Sequence, residues 1–365
     1  MRLYCKTIIN SVLLLCLVFS LQAEENKQLQ CAEPTPRDEL VKSLMVYYGE
    51  GPGREDIVDP DVKIEDEKDM GDHIRQTISY FVEKDERVRA YLLFPETFDR
   101  SKEKLPLILC PHPTNLVGKD CVVNNYPEPA KDEQDVYFRQ CRQYALDLVR
   151  RGFICFAPDR AAYGERRILK GDKKYTEQID AYKSRLKERW PDWGFTTGKA
   201  VWDLQRALDF LVEYDFVDTD RVAIIGHSLG AWDSMLLSCV DDRIKVAAAN
   251  AGGTIHFDAS LWTDLEQRKE LLDKPIGLNR MANLMLMAIA PRPFLQLRAI
   301  NDSYEKGQPN LLEGYRLLVD YYRMAAGQTR RTWHAPVGIY FHCNEHGFDH
   351  DARELAYGWL EMHLK

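Results

Sequence analysis

The stretch RVAIIGHSLGAW, residues 221 to 232, constrains this chain more than any other. Val222, Ala223, Ile224 and Ile225 form a short apolar run suited to a strand covered on both faces. Gly226 and Gly230 stand two residues either side of Ser228, where a sharp strand-to-helix turn leaves no room for side chains. Such a turn exposes the serine hydroxyl and places the backbone N–H of Leu229 at a helix start, where it can stabilise an oxyanion. The segment therefore predicts a nucleophilic Ser228. Idle glycine-rich turns carry the same three fixed residues, so the strand before and the helix after are what give the motif weight.

The rest of the chain supplies a matching frame. Residues 73–81 and 88–95 read as two β-type runs joined by a charged turn, an antiparallel hairpin. Beyond them, apolar runs at 105–112, 152–159, 221–226, 246–253, 292–302 and 337–342 alternate with segments of helical spacing such as 137–150 and 198–214. This order implies an α/β fold: a mostly parallel central sheet entered by an antiparallel hairpin, with helices on both faces. Active sites in such sheets sit at the carboxyl ends of the strands. Residues 24–70 are polar and acid-rich and are expected to wrap the surface as a lead-in to a single domain over 71–365.

The amino terminus has a different composition. Arg2 and Lys6 precede an apolar run from Ile8 to Leu21 that closes on Gln22 and Ala23, the pattern of a signal peptide over residues 1–23. A retained anchor is the alternative, although the run is shorter than the ~20 residues of a spanning helix; Cys16 and Cys31 lack the flanking small residues of a lipid-attachment site. Removal of the segment takes two positive charges and moves the net charge from −8 to −10. An acidic mature chain is a poor partner for nucleic acid or anionic membranes. Seven cysteines then remain, an odd number compatible with one or two disulfides at most, and no spacing resembles a zinc site.

A serine nucleophile needs a base and a third group that orients it. His346 lies in a loop just past the final strand candidate and is the expected base, with His350 the next choice. Asp302 closes the strand RPFLQLRAIND and is the expected acid, with Glu305 its rival. The loop Pro111 to Asn115 follows the first strand after the hairpin and should carry a second oxyanion donor. Pro113 has no N–H, so the backbone of Thr114 is the candidate beside Leu229.

With the elbow, the LILCPHPTN loop, the APDRAAYGER segment and the terminal HGFDHDARELAYGWLEMHL in view, residues 70–365 resemble the α/β-hydrolase superfamily. The likeness is narrower to its dienelactone hydrolase-like and acetyl xylan esterase-like bacterial branch. That resemblance implies a Ser228, Asp302, His346 triad and ester hydrolysis through an acyl-enzyme, without cofactor or metal. For an exported member it suggests ester decorations of polysaccharides, acetyl groups or uronate methyl esters, as substrate. Residues 172–195 form a candidate lid whose Trp190 and Trp193 could stack sugar rings or pack a core, and Arg160 could meet a uronate or pair internally with Asp159 or Glu165. Two other functions stay open. A prolyl-oligopeptidase-like peptidase would share the core but carries a large domain ahead of it, and a binding protein on a hydrolase scaffold would dispense with the chemistry.

Overall fold

The computed structural model describes residues 30–171, 173–252, 259–272, 278–302, 311–328, 334–343 and 345–365. Residues 1–23, where a signal peptide is expected, and Glu305 lie outside them. Nine strands form one sheet: β1 (Lys63–Asp69), β2 (His73–Glu83), β3 (Glu86–Pro95), β4 (Leu105–Leu109), β5 (Ile154–Pro158), β6 (Val217–His227), β7 (Val246–Asn250), β8 (Phe294–Ala299) and β9 (Val337–His342). Their spatial order is β1-β2-β3-β5-β4-β6-β7-β8-β9. The first three and the β3–β5 pair are antiparallel, and every pair from β5 and β4 through β9 is parallel.

The central strands are apolar on both sides because both faces are covered. On one face α1 (Arg37–Tyr48), α5 (Ala200–Leu211), α6 (Leu229–Val240), α9 (Leu278–Ile289) and α10 (Leu311–Ala325) contribute to a core that includes Leu40, Leu208, Met235, Met285 and Tyr321. On the other, α3 (Tyr144–Arg150) and α11 (His350–Leu364) pack Leu148, Ala356 and Leu360 against Ile108, Ala223 and Ala248. Four more described helices are α2 (Glu133–Gln140), α4 (Tyr175–Arg189), α7 (Ala259–Thr263), which adds the buried Leu261 and Trp262 to the first core, and α8 (Leu265–Leu272).

The lead-in differs from its expected role. Residues 37–48 form α1, which buries Leu40, Leu44 and Tyr48 in the main core, and residues 63–69 form β1, the outermost strand. Apolar spacing could not reveal β1: its sequence KIEDEKD is almost wholly exposed, and pairing with β2 alone makes it a strand. All seven described cysteines are free thiols. No described helix is long and apolar enough to cross a membrane.

Candidate active site

β6 delivers its chain into the site through a turn that only small residues can make. A side chain on Gly226 would place its first carbon 2.2 Å from the backbone of Gly230, and one on Gly230 would lie 2.1 Å from the carbonyl oxygen of Pro111. Between them Ser228 adopts φ 54° and ψ −115°, a strained conformation for a residue with a Cβ. Its N–H donates to the carbonyl of Asn250 at 2.8 Å, which holds the turn against the end of β7. α6 starts at Leu229, so the Leu229 N–H belongs to the first helical turn and has no acceptor within the helix.

Two distant segments meet this turn. His346 Nε2 lies 2.7 Å from Ser228 Oγ, and His346 Nδ1 lies 2.5 Å from Asp302 Oδ2. The Asp302 side chain is 1% exposed and that of His346 36%, so the carboxylate sits behind a ring that still reaches solvent. A carboxylate accepting from Nδ1 leaves Nε2 as the atom that can take the hydroxyl proton. His350, the alternative base, is exposed at the start of α11 beside Asp351.

The loop after β4 is built around a buried neutral imidazole. His112 Nε2 accepts the backbone N–H of Arg160 at 3.1 Å, so its proton is on Nδ1, which faces the Pro113 carbonyl at 2.8 Å. Burial pushes His112 down to about 4. Thr114 follows, half-buried.

The proposed sugar contacts of the 172–195 segment need correction. Trp193 is buried among Tyr182, Leu186, Phe195, Ala161 and Ala162, edge-on to Trp190 and Trp202, so its faces are taken by protein. Trp190 is half-buried and donates from Nε1 to Glu83 at 3.2 Å. Arg160 is 6% exposed and its Nε donates to the buried Asp233 at 2.9 Å. Arg160 therefore makes an internal pair, with a partner other than Asp159 or Glu165, which hold Lys119 Nζ at 2.9 and 2.5 Å.

Asn250, His227 and His342, none of them a predicted site residue, join their side chains beneath the loop that carries His346. An asparagine after a run of alanines looks like an ordinary strand end, and only the fold brings its partners together. Among the described residues no group of His, Cys, Asp or Glu stands where it could hold a metal ion.

Comparisons with known proteins agree with this architecture. The model of the Abhydrolase family matches residues 45–251. The Bacillus subtilis protein YtaP is 23% identical over 274 residues, spanning 73% of this chain and 81% of its own. A glucuronoyl esterase from Solibacter usitatus superposes with a TM-score of 0.59 at 16% identity, over 90% of this chain and 92% of that one. The methylesterase BT1017 superposes with a TM-score of 0.60 at 17% identity, over 89% of this chain and 62% of that one. At such identities the structural likeness speaks for the fold.

Proposed function

Since the chain belongs to the Abhydrolase family, we propose that it is an exported serine esterase that removes acetyl or uronate methyl esters from polysaccharides through an acyl-enzyme. One observation carries the reading: a single imidazole, that of His346, is hydrogen-bonded to Ser228 on one nitrogen and to Asp302 on the other. As Ser228 Oγ attacks the ester carbonyl, His346 Nε2 takes its proton, and Asp302 steadies the imidazolium through Nδ1. The backbone N–H groups of Leu229 and Thr114 donate to the oxyanion. The alcohol leaves with the proton from His346, and a water deprotonated by the same ring then attacks the acyl-serine and restores Ser228.

Export is supported by the basic and apolar segments of residues 1–23. The ester class is supported by the functions named for proteins of similar fold, a glucuronoyl esterase and a methylesterase. The purified chain is expected to hydrolyse p-nitrophenyl acetate, and Ser228→Ala to lose at least ~10³-fold in kcat. Turnover undiminished in that variant refutes the mechanism. Assay of acetate released from xylan against methanol released from pectin distinguishes the two substrates.

A further inference from the structure

We propose that Asn250 is a positioning residue that ties the base loop to the nucleophile turn and so keeps His346 in register with Ser228. The inference rests on the esterase reading above and adds a residue to it. Asn250 ends β7 and is wholly buried. Its backbone carbonyl accepts from the Ser228 N–H and fixes the turn from one side. Its side chain fixes the base loop from the other: Nδ2 donates to the carbonyl of Gly347, the residue after His346, at 2.9 Å. The same Nδ2 lies 2.9 Å from His227 Nδ1, and Oδ1 lies 3.0 Å from His342 Nε2.

An amide offers two N–H donors and one acceptor oxygen, and this site uses all three. The Gly347 carbonyl can only accept, so it decides which way the amide faces. That orientation sets both rings: His227 must accept at Nδ1 and carry its proton on Nε2, and His342 must donate from Nε2. Aspartate has the same shape but no donor when ionised. In its place two carbonyl-type oxygens would face each other across the contact to Gly347.

The network also keeps a second positive charge away from the base. The His227 ring stands 5.1 Å from the His346 ring, centre to centre. Burial, with His346, Arg142 and His342 adding to it, holds His227 well below the ordinary imidazole range. Burial lowers His342 too, against Asp349 and Asp302. The groups facing His227 thus come from four elements: Asn250 on β7, His342 on β9, Arg142 ahead of α3, and His346 with Phe348 on the base loop. A neutral His227 leaves the imidazolium formed at His346 without a second cation beside it.

The test is Asn250→Asp, read by p-nitrophenyl acetate kinetics and by NMR titration of the histidine rings. We expect kcat to fall by about 10- to 100-fold with KM within about twofold, the signature of a displaced catalytic group. We also expect the titration of His227, held well below the ordinary imidazole range in the parent, to move upward in the variant, because a carboxylate at Nδ1 favours the charged ring. His342→Gln and His342→Leu cover the case in which the aspartate variant does not fold. Glutamine retains an N–H for Oδ1 and should hold kcat within about threefold, whereas leucine should lose about tenfold. Parent-like kcat in folded Asn250→Asp, or equal kcat in the two His342 variants, overturns the proposal. If the parent cleaves no ester, the esterase reading fails on its own. The histidine titration then decides the network, and a His227 that titrates alike in parent and Asn250→Asp overturns it.

Discussion

Two buried polar regions flank the sheet, and they are held by opposite means. Beneath the base loop every contact of the Asn250 side chain is to a neutral group: two imidazoles and a backbone carbonyl. In the cap around α4 the contacts are ionic. Lys199 Nζ reaches Glu83, Glu86 and Asp203 at 2.6, 2.9 and 2.7 Å, and Arg166 reaches Asp203 at 2.7 Å and also contacts Glu86. The carboxylates of Asp203 and Glu86 outweigh the cost of burial and keep Lys199 charged. The difference matches what each region must do. The cap joins β2, β3, α4 and α5 once and can rely on fixed charges, whereas the base loop carries the ring that, in the proposed mechanism, gains and loses a proton in each turnover. A neutral cradle does not oppose that change in either direction.

The largest expected effect that would break this comparison is in the cap. Lys199→Met leaves the buried Glu83 and Asp203 and the half-buried Glu86 without their shared cation and should cost about 3–5 kcal/mol in urea unfolding. The folded variant should keep parent kcat, since Lys199 touches none of Ser228, His346 and Asp302. A stable variant with depressed kcat would show that the two regions are coupled.

Acid should separate them more finely. Burial lowers His227 and His342 in the folded chain, so the unfolded state binds protons more readily as the pH falls below 6.5, their ordinary value. The stability of the base loop is therefore complete above that value and fades on acidification. Glu86 is likewise lowered: burial works against its charge, but Arg166 and Lys199 more than offset it. Its contribution is complete above its ordinary 4.5 and is lost as the pH falls through the lower folded value. Amide exchange corrected for pH should thus rise first in residues 345–348 and only at lower pH in residues 175–199. Simultaneous opening would contradict the contrast.

The smallest effect concerns the far end of the base loop. Asp349 caps α11 by accepting the N–H of Ala352 at 3.3 Å. Asp349→Ala should cost about 1 kcal/mol in thermal or urea unfolding. A much larger loss would mean that the cap, and not Asn250, holds this loop.

Much of this was legible in the chain itself, for reasons particular to each segment. The elbow could be read because Gly226 and Gly230 are required by contacts within ten residues or with the neighbouring strand end. The parallel strands stood out because burial on both faces demands unbroken apolar runs such as 221–226. The sense of Trp193 was not legible: a tryptophan that stacks a sugar and one that fills a core look alike until Tyr182 and Phe195 close around it. Nor could Asn250 be picked out, since its partners come from residues 227, 342 and 347. The partner of Arg160 was missed for the same reason, because Asp233 is brought near only by the packing of α6.

β1 has a consequence of its own. An outer strand presents a row of unsatisfied backbone groups that another chain could adopt as a template for growth. Here that row is fringed by Lys63, Glu65, Asp66, Glu67, Lys68 and Asp69, so a copy of the molecule approaching edge to edge would have to strip water from charged side chains before any ladder could form. The segment that looked like mere polar lead-in acts as a solvated hem to the sheet.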